Sequence, residues 1–226
     1  DLSDEVCPAV RDRRTGAEYP VLAALVDHKL KELDYKLAVS HEVEFIGYNH
    51  PDGKRTYLRS LCFVLQNAVR RIYPDKVLII NHSLPSGLYC TICEKKPLED
   101  GRRAVHELDD KALAELKGEM RSIVSADLPF TKVKMEAAAA EELFLANGQP
   151  DKAALLKSLG VLICSVYYLD GQADTFHGPL LPSTGYLKVF DLMPYGEGFC
   201  LQFPSDNDFN KVIPVRKQSR IAPTPM

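Results

Sequence analysis

Leu58-Arg59-Ser60-Leu61-Cys62-Phe63-Val64-Leu65-Gln66-Asn67-Ala68-Val69-Arg70-Arg71-Ile72 is the stretch whose reading decides the fold. Leu58, Leu61, Cys62, Leu65, Ala68, Val69 and Ile72 recur at steps of three and four, which puts them on one face of a helix. Tyr73-Pro74-Asp75 stops it, because proline cannot continue the hydrogen-bond ladder.

Downstream, two apolar runs predict strands at Val77–Asn81 and Leu88–Cys93, joined by Ser83-Leu84-Pro85-Ser86-Gly87. A charged loop from Glu94 to Arg103 leads into a second amphipathic helix. It starts at Asp109-Asp110, whose charge suits the positive end of the helix dipole, and carries Leu113, Leu116, Met120, Ile123 and Val124. Asp127-Leu128-Pro129-Phe130 breaks it. A third helix is predicted from about Met135 to Ala146, and a fourth from Asp151 to Leu159, stopped by Gly160. Strands are expected at Val161–Leu169, Tyr186–Leu192 and Phe199–Phe203.

Upstream, Leu2 to Ser40 reads as a small unit with a short helix and a strand at Val21–Val26. A strand at Val43–Tyr48 follows. Asn49-His50-Pro51-Asp52-Gly53 is a turn signal, and the main domain boundary is placed there. The expected organisation is α+β: a first domain over 1–50, a larger one over 51–205, and a linker or tail over 206–226. That tail holds Lys211, Arg216, Lys217 and Arg220 among prolines.

The composition narrows the class. Of 226 residues, 46% are hydrophobic and 26% charged, an ordinary globular balance that argues against a largely disordered chain. A net charge of -3 gives no global pull toward nucleic acid or anionic membrane. The apolar runs are far shorter than the roughly 20 residues that span a bilayer, and the opening Asp1-Leu2-Ser3-Asp4-Glu5 is no secretory signal. A cytoplasmic protein without membrane partners is expected. The scattered Cys7, Cys62, Cys90, Cys93, Cys164 and Cys200 read as free thiols.

Several chemistries fail on spacing. Gly53-Lys54 is followed by Arg55, and no glycine stands five residues earlier, so no phosphate-binding loop forms here. Gly-x-Ser-x-Gly and Gly-x-Gly-x-x-Gly are both missing from the sequence. Cys90-Thr91-Ile92-Cys93 falls on a predicted strand, where residues three apart point to opposite faces, so it does not make a zinc site. No two of the six histidines stand four apart on a helix. Asp174 to Gly185, with two prolines, two glycines and several hydroxyls, reads either as a site-forming loop or as an ordered connection.

Taken in order, these segments resemble the N-terminal editing region of threonyl-tRNA synthetases. Pro20–Val26 through Glu44-Phe45 is similar to the β-grasp TGS domain. Arg59–Leu65 through Tyr73-Pro74-Asp75 resembles the second, editing-type domain, as do Asp127–Phe130 with Ala140–Phe144 and Asp151-Lys152, and His177–Gly185 with Phe190–Leu192. The resemblance implies His-x-x-x-His on the first long helix and a Cys and a His near the Gly-Pro turn. Here Arg59 and Phe63 stand at the first pair, and Phe176 and Leu180 at the second. Phenylalanine and leucine cannot ligate a metal, hold a water or accept a proton. Lys152 and Asp174 match the family, and Tyr89 stands where an aromatic residue is usual.

A narrower resemblance accommodates these departures. Arg59-Ser60-Leu61, Asn81–Tyr89 and Gly178–Tyr186 look like the accessory N-terminal region of uridine-kinase-like nucleoside kinases. In that family a TGS domain and a synthetase-like domain precede a P-loop kinase domain, which this chain lacks. This resemblance implies a non-catalytic accessory or regulatory region, with no cofactor of its own and with ATP and Mg only in the missing kinase domain. The alternative is an editing-domain fragment of a threonyl-tRNA synthetase, or a freestanding tRNA-editing hydrolase. Under either reading a cleft lined by Arg59, Ser60, His82, Tyr89, Lys152, Asp174 and His177 is expected to meet a nucleoside, an amino acid or RNA. The bland alternative is that Lys152 and Asp174 merely pair as a salt bridge.

Overall fold

The computed structural model describes residues 9–213 apart from Arg14 and Asn207. Cys7 and Arg216, Lys217 and Arg220 of the tail lie outside the described residues, and in place of the short helix expected before Val21 the described residues there form two short strands. In chain order the elements are β1 (Ala9–Arg11), β2 (Glu18–Pro20), β3 (Ala23–Val26), β4 (Lys29–Lys31), β5 (Val43–Ile46), α1 (Pro51–Ile72), β6 (Lys76–Leu84) and β7 (Gly87–Glu94). Then come α2 (Asp110–Ser125), β8 (Thr131–Glu136), α3 (Ala137–Ala146), α4 (Pro150–Leu159), β9 (Ile163–Leu169), β10 (Gln172–Thr175), β11 (Asp191–Tyr195) and β12 (Gly198–Gln202). The fold is α+β, as the periodicities predict. Among the described residues, contacts define two compact units, one running up to Pro74 and including Gly118–Lys188, the other Asp75–Lys117 and the described residues from Val189 onward. The 50/51 boundary read from the sequence falls inside the first unit.

In the first unit, β1 pairs with β2, and β4-β3-β5 form a small antiparallel sheet. Helix α1 then begins earlier than the apolar pattern alone predicts. Pro51 occupies the first turn, where its missing N–H costs nothing, and the His50 side chain accepts from the Asp52 N–H. The turn signal Asn49–Gly53 was thus partly a helix start. Gly53 is required within it: a β-carbon there would run into the backbone of Gly47.

A second antiparallel sheet in this unit, β10-β9-β8, is sequence-local but was only partly legible. The helix expected from Met135 starts at Ala137, and Met135 lies in β8. That strand alternates Thr131, Val133 and Met135 with Lys132, Lys134 and Glu136, but the run is short and every position except Met135 is exposed. Strand β10 was likewise hidden in the predicted loop, because only four residues pair there. The register sets Lys132 opposite Tyr167 and Tyr167 opposite Asp174, so all three share one sheet face. Leu169 and Gln172 are also opposite each other, and Asn67 of α1 donates to the Leu169 carbonyl at 3.0 Å. The other face is dry: Val166 and Ala173 bury themselves with Ala140 and Phe144 of α3 and Ala153 and Leu156 of α4.

The segment after β10 is held at both ends. Thr184 donates to the Ile123 carbonyl at 2.8 Å and accepts from the Leu128 N–H at 2.9 Å. Asp127 accepts from the Ser183 hydroxyl and the Gly185 N–H. Most of the expected Tyr186–Leu192 strand is therefore a single 3₁₀ turn at Thr184–Tyr186 and irregular chain, with strand pairing only from Asp191.

The second unit is an antiparallel sheet ordered β11-β12-β7-β6. A register shift between Ile80 and His82 leaves Asn81 as an extra residue, and its amide donates to Thr91 at 3.0 Å. Cys90 and Cys93 both lie on β7, are buried and are free thiols, as are Cys62, Cys164 and Cys200. No helix among the described residues is long and apolar enough to cross a membrane.

Candidate functional site

Arg59, Cys62, Phe63 and Arg70 fall on one side of α1, the side turned toward β9 and β10. Along β10, Gln172 and Asp174, and then Phe176 beyond it, repeat at every second position and meet them.

At the N-terminal half of the helix, Arg59 Nε donates to the Pro179 carbonyl at 3.1 Å and Nη2 to Thr56 Oγ1 at 3.0 Å. Gly178 lies directly under the guanidinium, with φ of 126°. The backbone angle favours glycine, and a β-carbon there, 2.9 Å from Arg59 Cζ, would push the guanidinium aside. Ser60 donates to the Thr56 carbonyl at 2.9 Å and accepts from the Leu181 N–H at 2.9 Å, which ties the loop to the helix. His177 stands exposed on that loop. Burial draws the Arg59 pKa down, and the nearby Tyr167 and Asp52 pull the other way.

Aromatic packing fills the next turn. Phe63 is fully buried, with its ring 5.2 Å from Phe176 and 6.0 Å from Phe130. Phe176 in turn meets the edge of Tyr167 at 6.0 Å. Leu180 and Leu181 are each 1% exposed. The phenylalanine and leucine side chains among them can neither bind a metal nor carry a proton.

Charge returns toward the C-terminal half. Asp174 is 2% exposed and forms an ion pair with Lys152, the second residue of α4 beyond Pro150. Arg70 donates to Gln172 at 2.7 Å, and Gln149, with its amide oxygen turned to the guanidinium, accepts from it as well. Burial lowers the pKa of Lys152, opposed by Asp174, and lowers that of Arg70 for the same reason. Burial, reinforced by Asp174, pushes the Cys62 thiol up to about 12. Lys152 thus pairs directly with the carboxylate, whose charge also acts on Arg70, and the bonds of Arg70 go to neutral amides.

The residues named from sequence divide into three groups. Arg59 and Ser60 meet the loop that carries His177, and Lys152 meets Asp174. His82 and Tyr89 belong to the second unit, where their rings are 5.3 Å apart and Tyr195 stands 5.6 Å from Tyr89. Burial raises the Tyr89 phenol, with Glu197 adding to it. Sequence reasoning missed Arg70, Gln149, Gln172, Tyr167 and Glu32. Arg70 carried a signal, since it lies seven residues beyond Phe63 on the same helix face. The other four depend on strands and turns that no periodicity revealed. Among the described residues, no three His, Cys, Asp or Glu side chains gather as metal ligands.

No protein-family model matches the chain. It is 30% identical over 179 residues to a threonine–tRNA ligase of Desulforamulus reducens, covering 79% of this chain and 27% of that enzyme. Corresponding enzymes of Carboxydothermus hydrogenoformans and Halorhodospira halophila are each 27% identical, over 76% and 74% of the chain and 26% and 25% of their own lengths. The chain spans about a quarter of the length of these curated relatives. Most of its length is therefore threonyl-tRNA-synthetase-like in sequence.

Proposed function

We propose that this chain is an editing-type module of a threonyl-tRNA-synthetase-like protein in which hydrolysis has given way to binding. The similarity to threonine–tRNA ligases supports the module. The observation that carries the loss of hydrolysis is Phe63, fully buried against Phe130 and Phe176 where the synthetase resemblance implies a polar, proton-carrying side chain. General acid–base catalysis needs groups that take up and release protons, and hydrocarbon rings do not. The charged group of Lys152, Asp174 and Arg70 remains as the recognition element. Lys152, 27% exposed, connects it to solvent and suits the polar ends of an amino acid or an aminoacylated nucleotide.

Calorimetric titration with threonine, serine, nucleosides and short RNA tests the binding half of this reading. Saturable heat with one of them, abolished by Lys152→Met, is the expected result. The absence of heat with all of them leaves the Lys152–Asp174 pair as a structural ion pair and overturns recognition.

A second reading keeps the same module as the accessory region of a uridine-kinase-like protein. It is favoured by Asn81–Tyr89 and Gly178–Tyr186, which resemble that family's accessory region, and includes the first 50 residues as a TGS-like domain. The longer protein would then phosphorylate uridine with ATP while this chain alone would not. Class II synthetase motifs following Met226 in the gene would exclude it.

A further inference from the structure

Tyr167 carries one hydroxyl proton and faces two acceptors. Its Oη lies 2.5 Å from Glu32 Oε1 and 3.3 Å from the carbonyl oxygen of Gly178. A phenol donates one hydrogen bond at a time, and the shorter, charged contact selects Glu32. Glu32 is held from the other side by Lys132 Nζ at 2.7 Å, and that ammonium also sits 5.5 Å from the centre of the Tyr167 ring. The arrangement is sheltered: Tyr167 is 2% exposed and the Glu32 side chain 14%. Arg59 and Asp34 are the other charged groups that act on the phenol, and burial with the Glu32 bond raises its pKa, which keeps the proton in place.

The two acceptors belong to different parts of the unit. Glu32 directly follows β4 of the small sheet, in a segment whose Leu33, Tyr35 and Leu37 pack over Ala24, Val26, Val43 and Phe45 across a shallow apolar groove. Gly178 lies under the Arg59 guanidinium, and the next carbonyl, that of Pro179, accepts from Arg59.

We propose that the Tyr167 hydroxyl is a two-position donor that couples the seating of the Glu32 segment to the loop holding Arg59. With Glu32 seated, the proton goes to its carboxylate and the Gly178 carbonyl is weakly held. With Glu32 withdrawn, by displacement of the segment, the hydroxyl turns to Gly178 and tightens the loop. This device does not depend on whether the module binds or hydrolyses.

The Gly178 carbonyl carbon reports the switch directly, because accepting a stronger hydrogen bond deshields it in carbon-13 spectra. Glu32→Ala is expected to move this resonance downfield and to slow amide exchange at Leu180 and Leu181 several-fold. In a Tyr167→Phe background the same Glu32→Ala change is expected to move neither. Glu32→Gln, which keeps the side-chain shape, should give a smaller shift of the same sign should Glu32→Ala disturb the small sheet. An unmoved Gly178 resonance in both Glu32 variants, or an equal movement with and without the Tyr167 hydroxyl, overturns the proposal.

Discussion

Helix α1 passes through two chemically opposite neighbourhoods within one unit. Around Arg59 and Phe63 the helix meets backbone carbonyls, a serine-anchored loop and a cluster of aromatic rings. Around Arg70 it meets a buried carboxylate, an ammonium and two amides. The first half is core, in which each polar group has found a local partner. In the second, Lys152 is paired with Asp174, so losing the carboxylate leaves the ammonium uncompensated. The difference teaches that a fold related to a catalytic one can keep its charged groups at one end of a helix while packing the other end with hydrocarbon. The two halves should answer mutation in opposite ways.

The largest effect is expected in the aromatic half. Phe63→Ala empties a fully buried position and should cost about 3–5 kcal/mol in urea unfolding. A cost under about 1 kcal/mol would mean that the ring is not part of a packed core and would break the comparison. Asp174→Ala comes next, at about 2–3 kcal/mol, below the full cost of breaking a buried pair because Lys152 reaches water. Its signature is rescue: combining Asp174→Leu with Lys152→Met should recover most of the loss, as the ion pair is then removed whole and Arg70 keeps its amide partners. Phe63→Ala, by contrast, should gain nothing from Lys152→Met.

Arg59→Ala removes two hydrogen bonds from a half-buried guanidinium and should cost about 1–2 kcal/mol. Faster amide exchange at Leu180 and Leu181 would mark the released loop. The smallest effect at neutral pH belongs to Cys62, which acts only as a slope at high pH. The Cys62 thiol stands near 12 in the folded protein against 9.0 for an ordinary cysteine. Above pH 9 the unfolded chain releases this proton and the folded chain keeps it, so stability falls as pH rises, by at most about 1.4 kcal/mol per pH unit. Below pH 9 Cys62 contributes no slope. Cys62→Ser should flatten the fall between pH 9 and 11; an unchanged slope would show the thiol to be open to water.

Helix α1 and the sheet around β7 were legible because their apolar residues repeat at the period of the element that holds them. Strands β8 and β10 were not. In β8, Lys132 and Lys134 do alternate with Thr131, Val133 and Met135, but the run is short, exposed at all but Met135, and merges into the helical pattern of α3. The candidate site divided along the same line. Lys152 and Asp174 were named by resemblance, and they do meet, but Gln172 is visible as a partner of Arg70 only once β10 is known to be a strand. Glu32 and Tyr167, 135 positions apart, belong to neither a motif nor a period, and only the tertiary fold brings them together.

Deacylation of a threonine-specific tRNA charged with serine tests the central claim most directly. The account predicts that this chain, added in excess, releases serine no faster than buffer does, because the positions around Phe63, Phe176 and Leu180 supply no proton carrier. Release well above the buffer rate, lost in Lys152→Met, would contradict it and show that hydrolysis had been rebuilt on the charged half of the helix.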